Sequence, residues 1–343
     1  MSITITDIAK MSNVSKATVS RVINNKSGGV SEQTRDRISK IIQDVGYKPN
    51  LMARSIVTSE TKTIGLIIPD IQNPFFPQMV RGVQDYAVSR NYTVFLCNSD
   101  SDVKKQQHYI DTFIQKRVDG LILTTSGDSY PKSTQNMYKQ YNVPVVLLDR
   151  KIVGLSYNAG VFIDNMAGAY EAVSYLLKNN PVKQVAFLGG PKEVDTSAER
   201  FQGYVKAHKD RNIPIDPKLV FYGEYTVESG YQMAEDMIKN CGSVSSIFAA
   251  SDIIAIGAIR ALRKMHISIP KETEIIGFDN IAISDMIYPA ITTMAQPIYD
   301  IGYIAAKKLI NLLNDEEIGQ KNEILPTKLI VRETTRERYG DSE

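Results

Sequence analysis

Asp149 and Arg150 stand side by side where the apolar run VPVVLLD (143–149) stops. Asp279 ends EIIGFD (274–279), Gln296 lies in TTMAQP (292–297), and Arg200 opens a helix after QVAFLGG (184–190). NPFF, with Asn73, Phe75 and Phe76, follows TIGLIIP (63–69). Carboxylates and guanidinium forks take paired hydroxyls bidentately, amides both donate and accept, and aromatic faces cover the C–H side of a sugar ring. Each member alone has a plainer reading: a surface ion pair for Asp149–Arg150, core packing for the phenylalanines, a helix cap for Asp279. Their shared position at strand ends points to a small hydroxyl-rich ligand, because open α/β sheets bind ligands there.

A second constellation lies near the N-terminus. Thr4 and Asp7 form a capping pair that starts one short helix, Ser12-Asn13 turns the chain, and Ser15 caps a second helix. Val19, Val22 and Ile23 face inward at helical spacing. Lys16, Ala17, Thr18, Ser20 and Arg21 stay outside and offer short donors, a methyl and two cations, which suit base edges and phosphates. Ser31 caps a third helix through Val45, with Ile38, Ile41, Ile42 and Val45 as its buried stripe and Gly46 as its stop. A small helical bundle without a DNA role is the plainer alternative.

No catalytic arrangement competes with these two sets. The three histidines, His108, His208 and His266, fall on different helices, and no nucleophile elbow, phosphate loop or paired-cysteine spacing occurs. The expectation is a non-enzyme without cofactor or metal. Cys97 and Cys241 read as reduced structural residues.

The elements that must position these residues alternate strand and helix after Lys62, which predicts parallel sheets covered on both faces. Runs at 63–69, 92–98, 119–125 and 143–149 form one α/β lobe. Runs at 160–164, 184–190, 219–222, 246–250 and 274–279 form a second, and TTMAQP with the helix after it is expected to cross back to the first. Residues 1–58 hold nine Lys/Arg against four Asp/Glu, a balance of +5, which leaves −3 for the rest of a chain whose total is +2. A basic head on a slightly acidic body is a footprint for a polyanion. The 343 residues, 43% hydrophobic, suffice for two or three domains without disulfide or metal staples. No signal-peptide pattern and no apolar run of about 20 residues is present, so the expected location is cytoplasmic, away from membranes.

TITDIAKMSNVSKATVSRVIN (4–24), GYKPNLMARSI and IGLIIPDIQNPFF occur in an order and spacing that resembles the lactose/galactose repressor family of bacterial transcription regulators, over residues 4–333. The resemblance implies an α/β fold: a helix-turn-helix head (1–48), a hinge helix and linker (49–60), and a two-lobed body like a periplasmic binding protein (61–343). The implied N-lobe is about 61–158 and 292–322, and the C-lobe about 159–291 and 323–333. Lys16, Ala17 and Arg21 would read bases, Thr18 and Ser20 would hold phosphates, and Thr4, Ser15 and Asn24 complete the DNA-facing set. The hinge helix would be Asn50–Val57, with Ala53 and Arg54 fitting its pattern. Ile56 stands where the family usually has the leucine that wedges into the minor groove; isoleucine is the stiffer wedge.

The body is similar to periplasmic ribose-binding protein and to repressors of ribose operons. By that likeness Phe75 and Phe76 would sandwich the sugar ring, while Asn73, Asp149, Arg150, Arg200, Asp279 and Gln296 would bind its hydroxyls. Tyr225 replaces a second-lobe phenylalanine, and Ser251 replaces an asparagine before Asp252; both changes bear on which pentose fits. The implied partners are a pseudo-palindromic operator, a sugar effector such as D-ribose, and a second copy of the chain. The short polar tail ETTRERYGDSE lacks the heptads of a tetramer. Alternatives are a catabolite regulator with a serine-phosphorylated phosphocarrier protein as co-repressor, and a repressor for galactose or a purine.

Overall fold

The structure is a computed structural model that describes residues 3–23, 28–47, 60–125, 141–151, 156–178, 185–242 and 244–336. The chain divides into two units, Met1–Thr61 and Lys62–Glu343.

In the first unit, α1 (Ile5–Met11) begins with a reciprocal cap. The Asp7 carboxylate accepts from the Thr4 amide at 3.0 Å, and the Thr4 hydroxyl accepts from the Asp7 amide at 3.4 Å. Asn13 at φ 50° supplies the left-handed step of the turn, a conformation its short polar side chain tolerates. The Ser15 hydroxyl then accepts from the Thr18 amide at 3.2 Å and starts α2 (Lys16–Ile23). Ser31 does the same for α3 (Glu32–Asp44) at 3.3 Å. Ile8, Ala9, Val19, Val22 and Ile38 are the buried centre. Of the expected α3 stripe only Ile38 is fully buried; Ile41, Ile42 and Val45 are half-buried, because three short helices cannot enclose a longer stripe.

The second unit holds two six-stranded sheets. The first contains β1 (Thr63–Ile68), β2 (Thr93–Asn98), β3 (Gly120–Leu123), β4 (Val145–Leu148), β5 (Ala159–Ile163) and β11 (Asn322–Leu325), ordered β11-β5-β4-β3-β1-β2 and parallel throughout. The second contains β6 (Val185–Gly189), β7 (Val220–Tyr222), β8 (Ser246–Ala249), β9 (Glu274–Asp279), β10 (Thr292–Ala295) and β12 (Lys328–Ile330), ordered β12-β10-β9-β8-β6-β7. Only β12 is antiparallel there. β3, β4, β5, β6, β8 and β9 are buried at every residue, as parallel strands covered on both faces must be.

Strand pairing corrects the expected division of the lobes. β5 pairs with β4 and β11 in the first sheet, Val146 opposite Ala159, and does not open the second. β10 lies beside β9, Met294 opposite Phe278, and stays in the second sheet. The helix after it does cross back to the first. Residues 322–325 belong to the first sheet and 328–330 to the second. Alternation along the chain sets the element types, whereas the choice of sheet is a non-local pairing that apolar runs of equal length do not encode.

The crossing helix is α10 (Ile298–Leu313), which packs on β3, β4 and β5 and against α4 (Phe75–Ser89). A Cβ on Gly82 would collide with the Tyr299 carbonyl, and one on Gly302 with the Met79 carbonyl, so these helices meet backbone to backbone. α5 (Val103–Gln115) covers β1; the helix expected after Thr125 falls mostly on 126–140, outside the described residues. On the second sheet lie α6 (Asn165–Lys178), α7 (Asp195–Lys209), α8 (Val227–Cys241) and α9 (Asp252–Lys264). The chain passes between the sheets after β5, after β10 and after β11, each time at a strand's carboxyl end.

Candidate ligand cleft and DNA-facing helix

The carboxyl ends of the two sheets converge on a cleft. Its inner chamber, ≈ 20 Å³, is lined by Asn73, Phe75, Phe76, Asp149, Arg150, Thr196, Arg200, Tyr225 and Asp279. It opens to an outer chamber of ≈ 610 Å³ that Phe76, Arg150 and Tyr225 also line, with Pro69, Pro191 and Glu224. The structure thus brings eight of the sequence-derived residues to one place.

Asp149 follows β4 at φ 66° and Asp279 ends β9 at φ 111°. Side chains rarely hold such left-handed backbone unless their surroundings over-determine it, and such strain gathers at functional sites. Arg150 lies 3.5 Å from Asp149 through Nε, donates from Nη1 to the Thr125 carbonyl at 3.0 Å, and sits 6.0 Å from the Phe76 ring and 5.9 Å from the Tyr225 ring. Arg200 spreads over Phe278 at 3.8 Å, donates from Nε to Asn165 Oδ1 at 2.9 Å, donates from Nη1 to the Ala250 carbonyl, and approaches Asp279 Oδ1 at 3.4 Å. Gln296 Nε2 donates to the same oxygen at 2.7 Å.

The electrostatics follow from burial. Burial pushes the Asp279 carboxyl up to about 8, against the pull of Arg200 and with the help of Asp252 and Asp149. Asp149 is also raised by burial, which outweighs Arg150 and Arg200. Asp252 accepts from Ser284 Oγ and Thr293 Oγ1 at 2.6 Å each and from the Ile281 amide at 3.0 Å, tying down the chain after Asp279.

Four buried side-chain polar atoms among the described residues have no hydrogen-bond partner: Thr124 Oγ1, Arg150 Nε, Tyr225 OH and Gln296 Oε1. Arg150 and Tyr225 line the inner chamber, and Gln296 is bonded to its carboxylate Asp279. Buried polar groups are ordinarily paired, so the cleft holds donors and acceptors that the protein's own groups leave unsatisfied.

Two expectations change. Phe75 and Phe76 meet edge to face with centroids 5.2 Å apart, a contact distance that leaves no space for a sugar ring between them. They form one wall, and Tyr225 belongs to the other lobe. Ser251 is not among the lining residues; its hydroxyl caps α9, accepting from the Ile254 amide at 3.3 Å. Sequence reasoning missed Thr196, which lies in the first turn of α7 one turn before Arg200, and Asn165, which follows the end of β5 and holds Arg200. Both follow the carboxyl ends of strands, β6 and β5, as Asp149 follows β4.

In the head, Lys16, Ala17 and Arg21 are exposed on α2, whereas Thr18 and Ser20 are half-buried. The Thr18 hydroxyl lies 2.9 Å from that of Ser15. A Cβ on Gly29 would meet the Arg21 guanidinium, so the glycine leaves that side chain its path. Thr4 and Ser15 sit at the helix starts. Asn24, Ala53, Arg54, Ile56 and the hinge helix lie outside the described residues. Among the described residues no three His, Cys, Asp or Glu side chains group to hold a metal, and no helix is long and apolar enough to cross a membrane.

The description "Bacterial regulatory proteins, lacI family" matches residues 4–50, and "Periplasmic binding proteins and sugar binding domain of LacI family" matches 61–333. The chain is similar to the HTH-type transcriptional regulator RegA of Clostridium saccharobutylicum, 37% identical over 98% of this chain and 100% of that one. It is similar to the ribose operon repressor of Halalkalibacterium halodurans, 36% identical over 97% of each. Among solved structures it resembles a LacI family transcriptional regulator from Enterococcus faecium with bound ribose, at 30% identity and TM-score 0.71, over 80% of this chain and 98% of that one. A matching head, a matching body and full-length relatives agree: the chain belongs to the LacI family and is a DNA-binding transcriptional repressor.

Proposed function

We propose that this repressor controls a ribose-utilisation operon and leaves its operator when D-ribose binds in the cleft. The observation that carries the reading is the pair of buried atoms without a hydrogen-bond partner on lining residues, Arg150 Nε and Tyr225 OH, in a chamber walled by Phe75 and Phe76, with Gln296 Oε1 likewise unbonded behind Asp279. A neutral polyol satisfies such donors and acceptors without bringing a charge. The relatives add support, since one is named for ribose and a similar structure holds it; RegA, equally similar, carries a name without a sugar.

In this reading Asn73, Asp149, Arg150, Arg200, Asp279 and Gln296 bind hydroxyls, while Phe75, Phe76 and Tyr225 cover the ring. Lys16, Ala17 and Arg21 read the operator, Thr18 and Ser20 hold phosphates, and Thr4, Ser15 and Asn24 complete the DNA-facing set. The hinge carries Ala53, Arg54 and the wedge Ile56. The repressor works in the cytoplasm as a homodimer on a pseudo-palindromic site, since a two-fold protein reads two half-sites. Sugar can switch such a protein only if it binds the DNA-incompetent state more tightly. The protein acts by binding alone, without catalysis.

The test is calorimetry with D-ribose, with D-galactose, D-glucose and a purine base as controls. Saturable one-per-subunit binding of ribose alone supports the reading. Silence from ribose moves the assignment to another sugar or to a phosphocarrier co-repressor.

A further inference from the structure

Lys151 follows Arg150 at the end of β4 in the first lobe, and Asp195 and Glu199 lie on α7 of the second. The Lys151 amide donates to Asp195 Oδ2 at 2.7 Å, and its ammonium donates to Glu199 Oε1 at 3.0 Å. Glu199 Oε2 accepts from Asn165 Nδ2 at 3.1 Å, and Asn165 Oδ1 accepts from Arg200 Nε at 2.9 Å. One chain of hydrogen bonds therefore runs from the first lobe, through the crossing at Asn165, to a guanidinium in the inner chamber. Neither Asp195, Glu199 nor Lys151 lines that chamber, so none of them has reason to touch a ligand there.

We propose that Asp195 is the latch that holds the two lobes closed, a positioning residue that sets Arg150 of one lobe against Thr196 and Arg200 of the other. Asp195 sits one residue before Thr196, as Lys151 sits one after Arg150; their bond joins two lining segments at their nearest non-lining positions. The acceptor is well placed for the task. Its other oxygen accepts from the Thr196 amide at 2.8 Å, which fixes the rotamer. Burial, with Asp149 and Glu199 close by, raises Asp195 to about 6, so it remains an ionised acceptor at neutral pH. An amide bonded to a carboxylate is among the stronger neutral-donor bonds. The ammonium of Lys151, 45% exposed, is the weaker arm, since solvent-exposed ion pairs contribute little.

The latch rests on the sugar reading only for its effect on affinity; the bond itself is read without ligand. Amide hydrogen exchange at Lys151 is measured in the full-length wild type, Asp195→Ala and Asp195→Asn, and D-ribose affinity is measured in parallel by calorimetry. Asp195→Ala is expected to lose protection at Lys151 and to weaken ribose roughly tenfold. Asp195→Asn, which keeps an acceptor, is expected to restore most of both. Lys151→Ala, which keeps the amide, is expected to retain protection and lose about twofold in affinity. Unchanged exchange at Lys151 in Asp195→Ala overturns the proposal, as does equal ribose affinity in wild type and Asp195→Ala. A wild type silent to ribose defeats the ribose assignment alone, because the exchange arm still decides the latch.

Discussion

Tyr225→Phe removes a single oxygen and should move two measurements in opposite directions. The Tyr225 hydroxyl is buried without a partner, and its ring is pressed against Gly190, where a Cβ would collide with it. Gly190 thus blocks one side of the ring. Leaving a buried hydroxyl unpaired costs about 1–3 kcal/mol. The free protein should thus gain on the order of 1–3 kcal/mol of stability in Tyr225→Phe, with no cavity because phenylalanine fills the same ring volume. The sugar-bound protein should lose what the hydroxyl provides to the ligand, a net of about 0.5–1.5 kcal/mol, and with the free-state gain the affinity should fall by about 1.5–4.5 kcal/mol, roughly tenfold to a thousandfold or more. Urea unfolding of the free protein and calorimetry with D-ribose measure the two sides. The more stable variant should be the weaker binder. A Tyr225→Phe protein that is less stable than wild type, or that binds sugar as tightly, refutes the claim that this hydroxyl waits for a ligand.

Arg150→Ala should abolish sugar-dependent release in an operator anisotropy assay yet leave operator binding intact, because Arg150 belongs to the cleft and the operator contacts belong to the other unit. Arg21→Ala should do the reverse, raising the operator Kd about tenfold or more with sugar affinity unchanged; wild-type binding should also fall steeply with salt as counterions return to the phosphates. Asp279→Asn should flatten part of the pH dependence of stability. The Asp279 pKa is raised in the folded state to about 8 from 3.8, so its contribution is fully present below about 4 and is lost as pH rises through about 8. The Tm of Asp279→Asn relative to wild type should therefore climb between pH 4 and 8, and a constant difference would show that this carboxyl is not held protonated by burial.

Local chemistry carried the sequence reading far. Capping residues such as Thr4 and Ser31 announce helix starts because their hydroxyls have few other places to satisfy an amide, and the structure shows those bonds. Apolar runs announce buried parallel strands, and the polar residue that ends each run must lie at the carboxyl end of its strand, so Asp149 and Asp279 could be picked out. Geometry between distant segments was not legible. Whether Phe75 and Phe76 clasp a ring or wall a chamber depends on two χ1 angles in adjacent helical residues. Ser251 could serve a ligand or a helix end, and the backbone amide of Ile254 had the prior claim. β5 and β10 changed sheets because pairing partners, not strand composition, decide the neighbour. Thr196 and Asn165 escaped notice because neither a lone hydroxyl nor a lone amide stands out beside arginines.

The two edge strands β11 and β12 are separated by only Pro326 and Thr327, yet they finish different sheets. During synthesis both lobes therefore stay unfinished until the same short segment leaves the ribosome. A chain stopped near residue 320 would present two open sheet edges at once, on β5 and on β10, each a template for pairing with another chain. A truncated product should be drawn toward aggregation or proteolysis before it can occupy an operator without answering to sugar.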